Sequence, residues 1–278
     1  MKLRFLLFII PLVSFFSENS VLGQSFRVGY LFWQLNPSTG KYRQEPEMVL
    51  DYNNGVSSFY CERQFVSDSL HLLAFDKITG NIIDDKAYRL LSIQHPGNSD
   101  VSIIDFKNLT IIQYHQLASL FFCGTDSLLM PLWEYEDFEK EDFGYQCKKA
   151  SARFLGRKWS VLYTEEIPLS TGPWLLWGAP GLILYARDEK GEFIFEFRYI
   201  EPYDGKNHRE KVLKDYYETV HCRNRFSGSL KESELYYYRV VNNTELFCQI
   251  SGMVSETMST FTPIWSNTLI PYEYWLDK

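Results

Sequence analysis

Residues 182–199 read LILYARDEKGEFIFEFRY, and this stretch decides the fold class. Leu182 to Arg187 is a short apolar run, Asp188-Glu189-Lys190-Gly191 supplies turn residues, and Glu192 to Tyr199 returns. In the return, Phe193, Phe195, Phe197 and Tyr199 alternate with Glu192, Ile194, Glu196 and Arg198. A period of two puts four rings on one face and mostly charge on the other, the pattern of an antiparallel strand with one buried face. The same pattern extends outward. Phe26 to Leu35 reads as an aromatic opening strand. Met48 to Tyr52 and Val56 to Gln64 flank Asn53-Asn54-Gly55, a hairpin turn in which Asn-Gly tolerates positive φ. Val101 to Phe106 and Leu109 to Leu120 are further strands, and Gly144 to Phe154 turns at Leu155-Gly156-Arg157 into Trp159 to Glu165. Helical periodicity is local. Arg209 to His221 places Val212, Leu213, Tyr216 and Val220 on one stripe, and a weaker helix runs from a cap at Ser67 or Asp68 to Ile78. The expected architecture is α+β and β-dominant: a curved antiparallel sheet, at the extreme a half-barrel, partly covered by one or two helices.

Composition limits the function. The 278 residues are 45% hydrophobic and carry a net charge of −7, which excludes a disordered chain and argues against a nucleic-acid surface. At the N-terminus, Lys2 and Arg4 precede an apolar stretch from Phe5 to Phe16, then Val21-Leu22-Gly23. That stretch is too short to span a bilayer and has the layout of a secretory signal. Residues 1–23 are therefore expected to be removed, leaving 24–278 as one domain with no transmembrane span and a periplasmic or secreted location. Five cysteines (Cys61, Cys123, Cys147, Cys222 and Cys248) lie far apart. A Cys222–Cys248 bridge is conceivable in an oxidising compartment, as are buried free thiols.

Residues 144–188 hold Gly144-Tyr145, Cys147, Ala150, Gly156-Arg157, Tyr163-Thr164, Glu166-Ile167-Pro168, Gly172-Pro173 and Gly178-Ala179-Pro180-Gly181-Leu182-Ile183. Together with Ser58-Phe59-Tyr60 and Asp68-Ser69, this order resembles the GLPGLI family of exported Bacteroidetes-type proteins. The six-residue motif departs from the family pattern at Ala179, where the family has Leu. The resemblance covers most of the mature chain and implies export, but it brings no assigned biochemical role.

The motif also has a physical reading of its own. Ala179-Pro180-Gly181-Leu182 suits a type II turn, with Pro fixing φ and Gly181 accepting φ > 0. Thr171-Gly172-Pro173-Trp174 makes a second bend, so Trp174 and Trp177 stand on a rigid elbow feeding the strand at Leu182. The tryptophans either plug the end of the core or stand at the mouth of an apolar cavity. On the second reading Trp174, Trp177, Gly178, Pro180, Gly181, Leu182, Arg157 and Tyr163 form a site for a lipid, a peptide or an envelope protein partner.

Other constellations point to structure. Glu134 to Asp142 carries six carboxylates in nine residues, with no EF-hand spacing, and reads as a solvated acidic edge or a helix start. Glu166 is expected to pair with Arg157 across its hairpin. The five histidines are scattered, Cys147 has no nearby His, and no metal, phosphate, dinucleotide or nucleophile-elbow motif is present. No catalytic residue, metal or cofactor is assigned. The 7 Trp, 19 Tyr and 21 Phe favour a non-catalytic binding protein with an apolar groove. The alternative is an accessory subunit of an outer-membrane transport or secretion system. An outer-membrane barrel is disfavoured by the amphipathic helix and irregular strand spacing.

Overall fold

Tight turns with positive φ at both central residues define three of the hairpins. Asn54-Gly55 (φ 48° and 80°), Phe143-Gly144 (54° and 79°) and Leu155-Gly156 (46° and 81°) each place glycine second. This is the type I′ geometry, whose twist matches the flanking strands. The computed structural model describes residues 25–76, 79, 81–93, 98–117, 120–203, 224–251, 269–270 and 274. In chain order its elements are β1 (Phe26–Asn36), β2 (Lys41–Asn53), β3 (Val56–Cys61), α1 (Glu62–Ala74), α2 (Asp85–Ser92), β4 (Val101–Asp105), β5 (Thr110–Leu117) and β6 (Leu120–Ser127). They continue with β7 (Glu134–Asp142), β8 (Tyr145–Phe154), β9 (Arg157–Thr164), β10 (Leu182–Asp188), β11 (Phe193–Pro202), β12 (Asn224–Gly228), α3 (Leu230–Val241) and α4 (Thr244–Ser251).

The strands form one sheet in the order β12-β6-β5-β4-β3-β2-β1-β11-β10-β9-β8-β7. The order has two ends, so the sheet is open. The architecture is α+β and β-dominant, as expected, with one correction: the sheet is mixed. β12 runs parallel to β6, because the chain leaves β11 and returns at the far edge, where a parallel pair needs a long connection. The sheet curves strongly. Phe59 on β3 and Phe195 on β11 are three strands apart, ~14 Å on a flat sheet, yet their ring centroids are 5.6 Å apart. The Tyr30 hydroxyl donates to the Ile183 carbonyl across the same concavity, at 2.8 Å. Bulges in β1–β2, β1–β11 and β9–β10 supply local bends.

The inner face carries the main core, in which Val28, Tyr30, Phe32, Leu50, Phe59, Trp159, Val161, Phe193 and Phe195 are buried together. The outer face over β2 to β6 is covered by α1, with Tyr60, Val101, Ile103, Tyr114 and Phe121 beneath Phe65 and Leu72. On the inner face, α3 and α4 cover β6 and β12 through Phe122, Val240 and Phe247. A Cβ on Gly124 would lie 2.8 Å from the Leu230 Cα, so glycine lets α3 dock directly on β6. Ser229 and Glu232 form a reciprocal capping box at the start of that helix.

Several expectations are corrected. The alternation of β11 places Tyr199 with the buried rings, but the bulge opposite Gly29 shifts its phase. Tyr199 is 44% exposed and its ring lies on Gly29, where a Cβ would approach Cε1 to 2.2 Å. α1 begins at Glu62, directly after β3, with no side-chain cap. Asp68 is not its cap but a buried residue accepting from Gln64 Nε2 at 2.7 Å. The run from Leu109 to Leu120 is two strands, β5 and the start of β6. Of the two forms expected for Glu134 to Asp142, the solvated acidic edge is the one found, as the exposed edge strand β7, and the helix start is not. Cys61, Cys123, Cys147 and Cys248 are buried cysteines outside any disulfide, and the conceivable Cys222–Cys248 bridge has one half outside the described residues. Cys222, residues 1–23 and the expected helix 209–221 lie outside the described residues. Among the described residues no helix is long and apolar enough to cross a membrane.

Candidate functional site

The elbow between β9 and β10 is built by backbone compression. The Leu176 N–H donates to the Pro173 carbonyl at 3.1 Å, with Trp174 in the left-handed region at φ 56°. Thr171 bridges Trp177, the Ser170 hydroxyl donates to the Ala179 carbonyl at 2.7 Å, and Ile183 N–H reaches Thr171 O at 3.0 Å. Two glycines are required by close approach. A Cβ on Gly172 would sit 2.7 Å from the Ile183 Cβ, and one on Gly181 would sit 1.8 Å from the Thr164 carbonyl oxygen. Gly181 does not have positive φ, so the expected type II turn is not formed. The motif glycine that takes up left-handed backbone is Gly178, at φ 86°.

The two tryptophans have different roles. Trp174 is buried against Trp159 (5.6 Å between centroids) and Phe154 (6.1 Å), and plugs the core. Trp177 is half-buried. Its indole N–H donates to the Leu129 carbonyl at 2.8 Å, its own carbonyl accepts from Trp133 Nε1 at 2.8 Å, and its ring meets Phe106 edge-on at 5.3 Å. Beside it opens a cavity of about 240 Å³ lined by Tyr52, Phe106, Pro168, Leu169, Ser170, Thr171 and Trp177. Burial pushes the Tyr52 phenol up, so it stays neutral. A second hollow of about 420 Å³, lined by Leu129, Met130, Phe154, Leu155 and Tyr274 among others, lies nearby.

Of the residues picked from the sequence, Trp177 alone lines the 240 Å³ cavity. Gly178 and Pro180 sit at the elbow's surface, while Gly181, Leu182 and Tyr163 are buried. Tyr163 packs edge-on against Tyr135 at 6.0 Å. Arg157 is a buried structural clamp: Nη1 donates to Asp188 at 2.9 Å and to Glu192 at 2.6 Å, Nε donates to the Leu269 carbonyl at 2.8 Å, and the guanidinium lies 4.4 Å from the Phe193 ring centroid. The expected Arg157–Glu166 pair is absent because Glu166 instead accepts from the Gln146 N–H at 2.6 Å. Tyr52, Phe106, Leu169 and Thr171 escaped sequence reasoning. Tyr52 and Phe106 sit at strand ends, where nothing in local pattern marks a cavity wall.

A buried polar cluster was missed as well. His115 on β5 donates through Nδ1 to Asp100 (2.9 Å) and through Nε2 to Glu234 on α3 (2.7 Å), with its ring stacked on Tyr237 at 4.6 Å. Burial opposes its charge, but the Glu234 and Asp100 carboxylates outweigh it and hold the imidazole well above its ordinary value. With both nitrogens donating, this imidazolium has no lone pair for base catalysis. It fastens α3 to the sheet. Burial pushes the Cys147 thiol up as well, away from the thiolate a nucleophile needs.

No family model matches the chain, and no curated protein matches it. Among solved structures, it is similar to PNGF-II in two crystal forms, C2 and P21, with TM-scores of 0.49 and 0.48. Both are 14% identical and matched over 76% of this chain, which spans 32% of the length of that protein.

Proposed function

We propose that this is an exported GLPGLI-type protein of the bacterial envelope that binds an apolar group without catalysis. The cavity beside the elbow carries the reading. Its walls are two aromatic strand-end residues, Tyr52 and Phe106, and the rigid loop bearing Leu169 and Trp177. At about 240 Å³ it takes one aromatic or branched side chain, or the end of an acyl chain, rather than a whole lipid. Ser170 and Thr171 also line it, but their hydroxyls are engaged by the Ala179 carbonyl and by Ser57, so the cavity recognises shape and apolar surface rather than a polar group. The proposal includes removal of residues 1–23 and residence in the periplasm or outside the cell.

Trp177 is a built-in reporter. Titrating the mature chain with short-chain fatty acids and with N-acetyl-phenylalanine amide is expected to shift its emission, and Trp177→Ala is expected to weaken binding at least tenfold. Unchanged emission across both probe classes overturns the binding role.

One observation favours a second reading, an accessory subunit. Leu129, Met130 and Leu132 are 39%, 56% and 76% exposed beside Trp177. An apolar surface of that kind suits a protein partner. Specific capture of a transport or secretion component from envelope membranes by the wild-type chain, lost in Met130→Asp with Leu132→Asp, would carry that reading.

A further inference from the structure

On the outer face of β7 to β10, opposite the core, lies a polar trough of about 440 Å³. Cross-strand register builds it. Ser151 on β8 pairs with Ser160 on β9, and Ser160 with Arg187 on β10. Two residues along the same face, Glu136 pairs with Lys149, and Leu162 separates Lys149 from Tyr185. Two small side chains on adjacent strands leave a depression, and Lys149, Lys158, Tyr185 and Arg187 stand around it. Core requirements do not account for these choices, because the outward positions of a sheet tolerate most polar residues.

The charges around the trough are unevenly satisfied. Lys149 is held by Glu136 at 2.8 Å, and Asp188 is held by Arg157 at 2.9 Å. Lys158 and Arg187 have no hydrogen-bond or ion-pair partner among the described residues, and neither do the Ser151 and Ser160 hydroxyls. Glu189 sits at one end. The trough is thus lined by two cations and two hydroxyls without partners, the Glu189 carboxylate at one end and a half-buried tyrosine. A planar guanidinium recognises a carboxylate through paired hydrogen bonds. Hydroxyl groups match a polyol, and a tyrosine ring presents an apolar body with a polar tip, suited to the C–H face of a sugar ring.

We infer that this trough is a second binding site, separate from the elbow cavity, for a sugar bearing a carboxylate: a uronic acid within a short glycan. Arg187 and Lys158 take the carboxylate, Ser151 and Ser160 bond the ring hydroxyls, and Tyr185 stacks on the pyranose. The site is open and shallow, so binding is weak and salt-sensitive.

Calorimetric or NMR titration of the mature chain with trigalacturonate, maltotriose and sodium sulfate tests the inference. Trigalacturonate is expected to bind at least tenfold more tightly than either of the others. Arg187→Ala and Ser160→Leu, both on the outer face, are expected to weaken it at least tenfold at unchanged melting temperature, and Trp177→Ala is expected to leave it unaltered. Equal binding of maltotriose removes the role of the carboxylate and overturns the inference, as does equal binding of sulfate, which makes the trough a simple anion site. Absence of binding, or binding insensitive to both outer-face variants, overturns it as well. Because Trp177→Ala acts on the elbow cavity alone, failure of one site is distinguishable from failure of the other.

Discussion

Replacing Gly181 by alanine separates two explanations of the central motif glycine. In the structure its φ is not left-handed, but a Cβ would fall 1.8 Å from the Thr164 carbonyl oxygen and 3.0 Å from the Glu165 Cα. Real Cβ contacts essentially never fall below 3.0 Å. The clash is with backbone, so no rotamer relieves it, and β9 and β10 must part by more than an ångström where Leu182 pairs with Thr164. Forced shifts of this kind in a packed interior cost about 1–3 kcal/mol, and the upper end applies because the end of a strand ladder opens as well. For a domain of this size that is a fall of roughly 6–12 °C in melting temperature. The comparison is Gly178, at φ 86°, where a Cβ would make ordinary contact with Met130 Cγ at 3.5 Å. There alanine costs about 1–2 kcal/mol from backbone strain alone, and asparagine, which tolerates left-handed backbone, recovers part of it. Asparagine at 181 recovers nothing. Thermal unfolding followed by near-ultraviolet circular dichroism measures all four variants. A Gly181→Ala protein melting within a degree of wild type, or rescue by Gly181→Asn, refutes the close-approach argument.

Three further outcomes follow from buried charge. His115 has a folded pKa above its unfolded value near 6.5, so its contribution is complete below that pH and is lost as pH rises through the folded value. The urea midpoint of wild type should therefore decline more between pH 6 and pH 9 than that of His115→Gln, and parallel profiles would count against the Asp100–His115–Glu234 clamp. Asp68 is pushed up to about 7 by burial, with Gln64 opposing, so stability falls as pH rises from about 4 to 7. Asp68→Asn should be more stable than wild type at pH 8 and no better at pH 4, as read from the same midpoints. Arg157→Ala leaves Asp188 buried and unpaired beside Glu192, and should cost about 3–5 kcal/mol. Adding Asp188→Asn should recover much of it in denaturant titrations, and a purely additive double variant would argue against the pair.

What the sequence disclosed follows from how far each signal reaches along the chain. Hairpins are local: Asn54-Gly55 and Leu155-Gly156 name their turns, and the rings of β11 name its buried face through Phe197. The phase change at Tyr199 was hidden because the bulge is set by a partner strand, and Gly29 is 170 positions away. The parallel placement of β12 has no local trace for the same reason. At the elbow, proline and glycine marked where the chain bends but not how: the type II turn at Gly181 is not formed, the hydrogen-bonded turn runs from Pro173 to Leu176, and the physics behind Gly181 is the proximity of Thr164, which residue type alone does not reveal. The cavity walls come from β2, the end of β4 and the elbow, brought together by curvature. His115, Asp100 and Glu234 form one cluster from three distant segments. Side-chain clusters of this sort are legible only after folding.

The open sheet leaves β7 as a terminal strand, and that strand carries six carboxylates against one lysine over nine exposed or nearly exposed residues. Two copies of this chain meeting edge to edge would bring ten net negative charges into register at strand spacing, so at neutral pH the protein resists stacking into fibres however concentrated it becomes. The guard is electrostatic rather than steric. Neutralising those carboxylates by substitution would leave the same strand an unguarded template for edge-to-edge pairing.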